Sequence, residues 1–457
     1  MIPTAEALRS RIAASRPSFE EELRALVEIP SVSTQPAAHA ADVRKCAEKA
    51  AALLGESGAS DARIVPTGGG PTVIGTLRHG ADAPTVTIYN HLDVQPADRE
   101  AEGWQRDPWK LAIEGDRYYG RGATDDKGPA VSALWAARIA RELAIPLNVQ
   151  FLWETEEEIG SPGFERVFSS PSGPAPTESV LVSDTIWISR ERPALSLGLR
   201  GLAPALIRLE TATKDAHSGV AGGAARNPIT ELCAVVAGCV DAPTGTVKIP
   251  GFYDDVRAPS QAECESWLSS GFQVDAFQRA LGLKSLRSTE VREITQRIWG
   301  RPTFEVHGIR GGYQGEGLKT AIPPRAEAKV SMRLVPDQAP AKIQELLARH
   351  VHGLVPDAEV VALPGLEPYT ADPDDEYQKA AREALAAAHG AEPALVREGG
   401  SIGAVVTMQR HLRCPVVLMG LSLPEHGYHA PNEFFDWGQA SRGILAFLHY
   451  FDRIARL

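Results

Sequence analysis

His91 and Asp93 flank a single leucine in the stretch "YNHLDVQP" (89–96), where the β-branched run "APTVTI" gives out as a strand at Ile88 or Tyr89 and Pro96 forbids its continuation. Similar acidic or imidazole groups follow four other segments. "GRGATDDKG" carries Asp125 and Asp126 just ahead of a helix, and "WETEEEIGS" carries Glu156, Glu157 and Glu158 after an apolar run ending at Trp153. "VSDT" places Asp184 just past another run, and "PEHGYHAPNE" places His426 and His429 after "PVVLMG". Each has a bland reading alone: a solvated acid run, a helix cap, a turn residue, a polar loop. Together they are expected at strand ends of one sheet, where ligands gather in α/β folds.

Carboxylates that converge in this way repel one another unless cations neutralise them. Two histidines and three carboxylates bring a formal charge of about −3 against +4 for two divalent ions, and a hydroxide brings the total to zero. Imidazole and carboxylate ligands suit zinc, and manganese or cobalt also fit. The chemistry indicated is metal-assisted hydrolysis.

The elements that must position these groups follow from the apolar pattern. Residues 1–196 alternate short strands ("TVTIYN", "LNVQFLW", "SVLVS") with helices, among them one from Pro129 to about Leu143, with proline near the first turn where its missing N–H costs least. This predicts an α/β fold, a mainly parallel sheet with helices on both faces. From 197 to 365 the pattern changes. "AEAKVSMRLV" (326–335) alternates apolar Ala326, Ala328, Val330, Met332 and Leu334 with polar Glu327, Lys329, Ser331 and Arg333, as in a sheet with one buried face. An amphipathic helix and the strand "AEVVALPG" follow, so this part is expected to be an inserted α+β lid or dimerisation domain. Residues 366–457 then resume the α/β domain, with a helix from Glu376 and a last helix from Trp437.

The 457 residues exceed a single hydrophobic core, and the net charge of −11 argues against a nucleic-acid surface. No apolar run reaches the roughly 18 residues of a membrane span. Near the N-terminus Ser18 and Glu21 read as a capping box opening a helix, and no signal-type segment is expected there. Five scattered cysteines (Cys46, Cys233, Cys239, Cys264, Cys414) read as reduced thiols of a cytoplasmic protein.

The motifs "HLDVQP", "GRGATDDKG", "EEEIGS", "SDT", "LRG", "AHSGVAGGAARNP", "LKTAIPP", "SMRLVP", "REGGSI" and "HAPNE" occur in an order that resembles the two-zinc exopeptidases and deacylases, above all the cytosolic carnosine-type dipeptidases. The resemblance implies a zinc-exopeptidase-like catalytic domain. It makes His91 and Asp184 ligands of one metal, Glu158 and His429 ligands of the other, and Asp125 the bridge. It makes Glu157 the general base and Asp93 the support that accepts a hydrogen bond from the second nitrogen of His91, while His426 has no counterpart. It further implies a homodimer in which His217 of "DAHSGV" reaches the neighbour's site to stabilise the oxyanion. Arg333 becomes the cation for a substrate carboxylate, and Thr320, Gly400 and Ser401 hold the substrate backbone. A cis peptide at Asp125–Asp126 is also implied. Gly403, where "GGSIP" is usual, and Trp109 in place of Phe are departures that bear on side-chain preference.

The expected activity is hydrolysis of dipeptides. N-acyl amino acid deacylation with the same site is the alternative, and a non-catalytic metal-binding protein is disfavoured by the retained Glu157.

Overall fold

The computed structural model describes residues 3–457. Its main sheet has nine strands. At the centre, Thr85–His91 pairs in parallel with Asn148–Glu154 on one side and Ser179–Val182 on the other, and Val416–Leu418 continues the parallel run. Alternate residues of these strands face opposite cores. Val86, Ile88, Phe151, Trp153 and Leu181 enter one cluster, and Tyr89, Leu152, Val180 and Val182 enter the other. Burial on both faces is what makes the strands nearly continuous apolar runs. Helices Ala5–Val27, Gly128–Glu142, Glu376–His389 and Trp437–Ile454 cover the first face, and Gly403–Leu412 covers the second.

The sheet is mixed: Ala394–Glu398 also pairs in parallel, with Ala194–Leu199, but other pairings are antiparallel. Thr72–Leu77 runs antiparallel to Asn148–Glu154, and Tyr369–Thr370 runs antiparallel to Ala194–Leu199. Two further expectations change. Ser18 opens no helix: Thr4 caps a helix that continues through Pro17 to Val27. Leu8, Ile12, Ser15, Phe19, Leu23 and Leu26 make one buried stripe along it, and burying that stripe outweighs the hydrogen bond that proline removes. The strand at "TVTIYNH" ends not at Ile88 or Tyr89 but at His91, so the histidine is its last residue.

A four-stranded antiparallel sheet forms between residues 201 and 362, in the order Thr303–Gly311, Arg325–Leu334, Gly201–Glu210, Glu359–Ala362. Helices Pro228–Cys239 and Pro340–Leu354 contribute Leu232, Val235, Ile343, Leu347 and Val351 to its separate core. The predicted alternation holds at Ala326, Ala328, Val330, Met332 and Leu334, all buried. Ser331 on the polar face is buried as well, with its hydroxyl 2.7 Å from His307 Nε2. Within the same span, Trp267, Phe272, Ile294 and Trp299 pack not into this core but into that of the large sheet. There Ser266 donates to the Leu395 carbonyl (2.8 Å).

Leu347→Ala removes a fully buried side chain from the smaller core and is expected to cost about 2–5 kcal/mol. Urea denaturation checks this; an unchanged midpoint would mean that the helix does not hold that core together.

Candidate metal centre

The order of the large sheet reverses at Thr85–His91: the next strand of the parallel run, Asn148–Glu154, lies on one side of it and Ser179–Val182 lies on the other. A crevice opens beyond the carboxyl ends of strands at such a point. His91 ends the middle strand, Glu157 and Glu158 follow the second, and Asp184 follows the third. Asp125 comes from elsewhere. Its segment follows Arg117–Tyr119, which belongs to a separate three-stranded sheet with Ala112–Glu114 and Phe434–Asp436, so the five acidic and imidazole segments are not all at strand ends of one sheet. The helix Gly128–Glu142, packed on the large sheet, brings Asp125 to the crevice.

Asp125 presents a different oxygen to each histidine. Its Oδ1 lies 3.0 Å from His91 Nε2 and its Oδ2 lies 2.9 Å from His429 Nε2. Asp184 Oδ2 is 3.8 Å from His91 Nε2, and Glu158 Oε2 is 3.1 Å from His429 Nε2. Two trios result, His91–Asp125–Asp184 and Asp125–Glu158–His429, each with its donor atoms within 4.8 Å of one another. His91, Asp125 and Asp184 are buried, whereas His429 is exposed and opens the cluster to solvent. The backbone of His429 is left-handed (φ 53) and the Asp125–Asp126 peptide is cis.

The electrostatics ask for cations. Burial, reinforced by the charges of Asp125 and Glu158, pushes Asp184 up to about 7. Burial also holds Glu157 well above the carboxylate range, with Asp184, Glu158 and Asp93 adding to it. Hydrogen bonds to Asp125 and Glu158 raise His429 to about 10. Divalent cations at the two trios would supply the positive charge and would leave both imidazoles neutral and free to ligate. Two nitrogens and three carboxylates in this arrangement fit a pair of such ions.

A layer of buried polar groups fixes the donors. His91 Nδ1 lies 3.0 Å from the backbone carbonyl of Asp93, while the Asp93 carboxylate stands off at 3.5 Å. The expected side-chain support is therefore supplied by the main chain. A carbonyl only accepts, so Nδ1 carries the proton and Nε2 presents its lone pair. The Asp93 carboxylate serves Glu157 and Glu158 instead, accepting their backbone N–H groups at 3.2 and 3.1 Å. Asn90 donates to Asp126 (2.7 Å) and to Ser183 (2.5 Å), linking the neighbours of His91, Asp125 and Asp184.

Glu433 escaped the sequence reading, although it lies in the quoted "HAPNE". Fully buried, its carboxylate accepts from Arg121 Nη1 (2.9 Å) and from the N–H groups of Gly122 (3.0 Å), Thr124 (2.9 Å) and Asp125 (3.2 Å). His426 stays outside the cluster, as expected: its nitrogens lie 3.0 Å from Asp436 Oδ2 and 3.0 Å from Thr124 Oγ1.

The other sequence-predicted residues form two separate groups. Arg333 donates to Ser401 (3.0 Å), Ser401 donates to the Arg200 carbonyl, and Arg200 N–H donates to the Gly400 carbonyl (3.0 Å). His217 lies beside Thr320, where Ala216 and Ile322 pair and Ser218 N–H donates to the Thr320 carbonyl (3.0 Å). His217 is exposed, and its Nδ1 accepts the Gly219 N–H (3.0 Å). Among the described residues, no hydrogen bond or ion pair joins His217, Thr320 or Arg333 to the acidic cluster.

A bridging carboxylate between two ligand trios, with a further glutamate beside one of them, sets this chain among the dinuclear metallopeptidases. The chain belongs to peptidase family M20/M25/M40, whose profile matches residues 87–453. It is 33% identical over 396 residues to a Cys-Gly metallodipeptidase of Schizosaccharomyces pombe, covering 84% of this chain and 83% of that protein. It is 30% identical to the human Beta-Ala-His dipeptidase over 462 residues, covering 96% and 90% of the two chains. The solved structure of human carnosine dipeptidase 1 superposes over all of both chains with a TM-score of 0.85 at 30% identity. The metallo-carboxypeptidase Sso-CP2 of Sulfolobus solfataricus superposes with a TM-score of 0.87 at 30% identity, over 97% of this chain and 99% of its own.

Glu433→Gln leaves Arg121 without its carboxylate and the Asp125 segment without its anchor. Loss of such support is expected to weaken divalent-metal affinity by about 10–100-fold. An unpaired buried guanidinium should also lower stability by about 3–5 kcal/mol. Competition with a chromogenic chelator and a thermal melt measure the two effects; unchanged affinity in the folded variant would remove Glu433 from the support of the site.

Proposed function

We propose that this chain is a metal-dependent dipeptidase. The observation that carries the proposal is Asp125, with one oxygen toward each imidazole, beside a glutamate pair whose backbone is held by Asp93. His91 and Asp184 would hold one ion, Glu158 and His429 the other, with Asp125 shared. Zinc suits these donors, and manganese or cobalt are the alternatives. Such ions, when bound, acidify a water and polarise a carbonyl.

Glu157 takes the proton of the attacking water and returns it to the leaving amine. Its backbone bond to Asp93 holds it beside the trio that contains Glu158. Arg333 takes the C-terminal carboxylate of the substrate, and Ser401, which accepts a hydrogen bond from it, orients the guanidinium. Gly400 and Thr320 hold the substrate backbone. The exposed position of His217, with no bond to the cluster of its own chain, supports a role across a homodimer interface: completing the neighbour's site as an oxyanion donor.

Among the described residues no helix is long and apolar enough to cross a membrane. The five unpaired cysteines support a reducing, cytoplasmic setting.

Glu157→Gln is expected to keep its metal content while kcat for a dipeptide falls by roughly 10²–10⁴-fold. Metal analysis and turnover on the same sample check this. Full turnover would refute the role, and lost metal would make Glu157 a ligand.

For His217 the test is complementation between two inactive chains, His217→Ala and Glu157→Ala. A mixed dimer contains one site with both groups intact, so activity should recover to about half of wild type per mixed dimer if the sites act independently. Verified subunit exchange with no recovery would exclude action across the interface.

A further inference from the structure

A hollow of about 430 Å³ lies where three parts of the chain meet: the edge of the smaller sheet at Phe304 and Arg333, the loop at Thr244–Thr246, and the segment running through Arg287, Arg297 and Arg301. Five arginines and one acidic residue, Glu305, line it, on a chain whose net charge is −11. Arg297 and Arg301 share Glu293, at 2.7 and 2.8 Å. The other three are not neutralised: among the described residues no carboxylate lies within ion-pair distance of Arg200, Arg287 or Arg333.

Arg200 is the most confined of these. Its Nε donates to the Gly399 carbonyl (2.9 Å), its Nη1 has only a 3.5 Å contact with the Arg297 carbonyl, and its Nη2 has no acceptor among the described residues. Burial, with the charge of Arg333 added and that of Glu305 opposing, lowers Arg200 to about 10. Arg333 spends one nitrogen on Ser401 and leaves the rest of its fork free. Both arginines are tied to the run Gly399–Gly400–Ser401, which directly follows the strand ending at Glu398. Glu398 in turn accepts the N–H of Ile186 (3.3 Å), two residues beyond Asp184. One short segment thus links residues beside the hollow to the chain just beyond Asp184.

Two half-buried guanidiniums held side by side without carboxylates are costly unless a ligand pairs both of them. We propose that the hollow accepts an acidic side chain on the C-terminal residue of the substrate, Arg200 pairing with that side chain while Arg333 takes the α-carboxylate, so that dipeptides ending in Asp or Glu are the preferred class. This rests on the dipeptidase reading above, and it adds a second charge to the substrate. Arg287, also without an ion pair among the described residues, strengthens the field that draws such a residue in. A neutral isostere leaves Arg200 unpaired, and that difference is the basis of discrimination.

The test compares Ala-Glu with Ala-Gln on the full-length, metal-loaded protein. Wild type should favour Ala-Glu in kcat/KM by about tenfold or more, the discrimination that a hydrogen bond to a charged group supports. In Arg200→Gln, which can still donate to Gly399, the ratio should collapse toward one, and Arg200→Lys should restore part of it. Arg287→Gln, at an exposed position, keeps the test open if Arg200 variants fail to fold; it should lower the ratio by about threefold, in keeping with a more distant, screened charge. A ratio near one in wild type, or a ratio unaltered by both Arg200→Gln and Arg287→Gln, would overturn the proposal.

Calorimetric titration with L-glutamate, L-glutamine and inorganic phosphate separates this inference from the activity itself. Tighter binding of glutamate that is lost in Arg200→Gln supports the acidic subsite even if no dipeptide is cleaved, in which case the dipeptidase reading fails alone. Equal binding of glutamate and glutamine, or phosphate bound as well as glutamate, would reduce the hollow to a general anion site and sink the proposal.

Discussion

Asp125 is the one carboxylate that both halves of the cluster share, with a different oxygen toward each imidazole. Its negative charge is buried, and Asp184 and Glu157 add two more nearby. Charges this close in a medium of low effective dielectric repel by several kcal/mol, so the arrangement persists only with compensating positive charge. A protein can provide this with protons or with metal ions. Protons would occupy the nitrogens and oxygens that must act as ligands, whereas divalent ions use them. The donors come from separate segments, at or after the ends of three strands of the large sheet, ahead of Gly128–Glu142 and before Phe434–Asp436, so each is anchored by its own element.

Keeping the donors in place falls to groups that never touch the ions. Glu433 gathers three N–H groups of the Asp125 segment, those of Gly122, Thr124 and Asp125, and has its own charge balanced by Arg121. Asn90 ties Asp126 to Ser183, and so couples the positions of His91, Asp125 and Asp184 in one hydrogen-bonded link. Asp93 does the same for Glu157 and Glu158 by accepting their backbone N–H groups. A buried polar network stabilises most when its members are satisfied; here Glu433 and Asp93 use both carboxylate oxygens, while Asn90 Oδ1, Asp126 Oδ1 and Arg121 Nε have no partner among the described residues.

The large sheet, the second core and the acidic and imidazole residues of the cluster were legible in the sequence because each left a local signal. Apolar runs end in His91, Asp184 and the glutamates, and Ala326 to Leu334 alternate strictly. What stayed hidden was decided by partners remote in sequence. Whether Thr72–Leu77 runs parallel or antiparallel depends on the strand it meets, not on its composition. The small sheet that carries the Asp125 segment joins Arg117–Tyr119 to Phe434–Asp436, more than three hundred residues away. Trp267 and Trp299 read as apolar residues of the inserted part, yet their surface is buried against the strand Ala394–Glu398 of the other core. The capping box at Ser18 failed for the same reason: a local cap signal was outweighed by a long buried stripe.

Acid and base are kept apart on this molecule. The crevice beyond the strand ends is rich in carboxylates and calls for cations, while the hollow around Arg200 and Arg333 is rich in guanidiniums and calls for anions. The two are joined by the short path from Asp184 through Ile186 and Glu398 to Ser401. A small peptide has opposite electrostatic ends, so a site divided in this way fixes its direction before any side chain is read. In the proposed reading the carboxylate end would go to the arginines and the amide carbonyl would face the acidic cluster. Reversal would set the peptide's ammonium against the arginines, and such like-charge juxtapositions cost several kcal/mol. Polarity of this kind accounts for how an open, largely polar cleft can act on one bond of a molecule that offers few other features to hold.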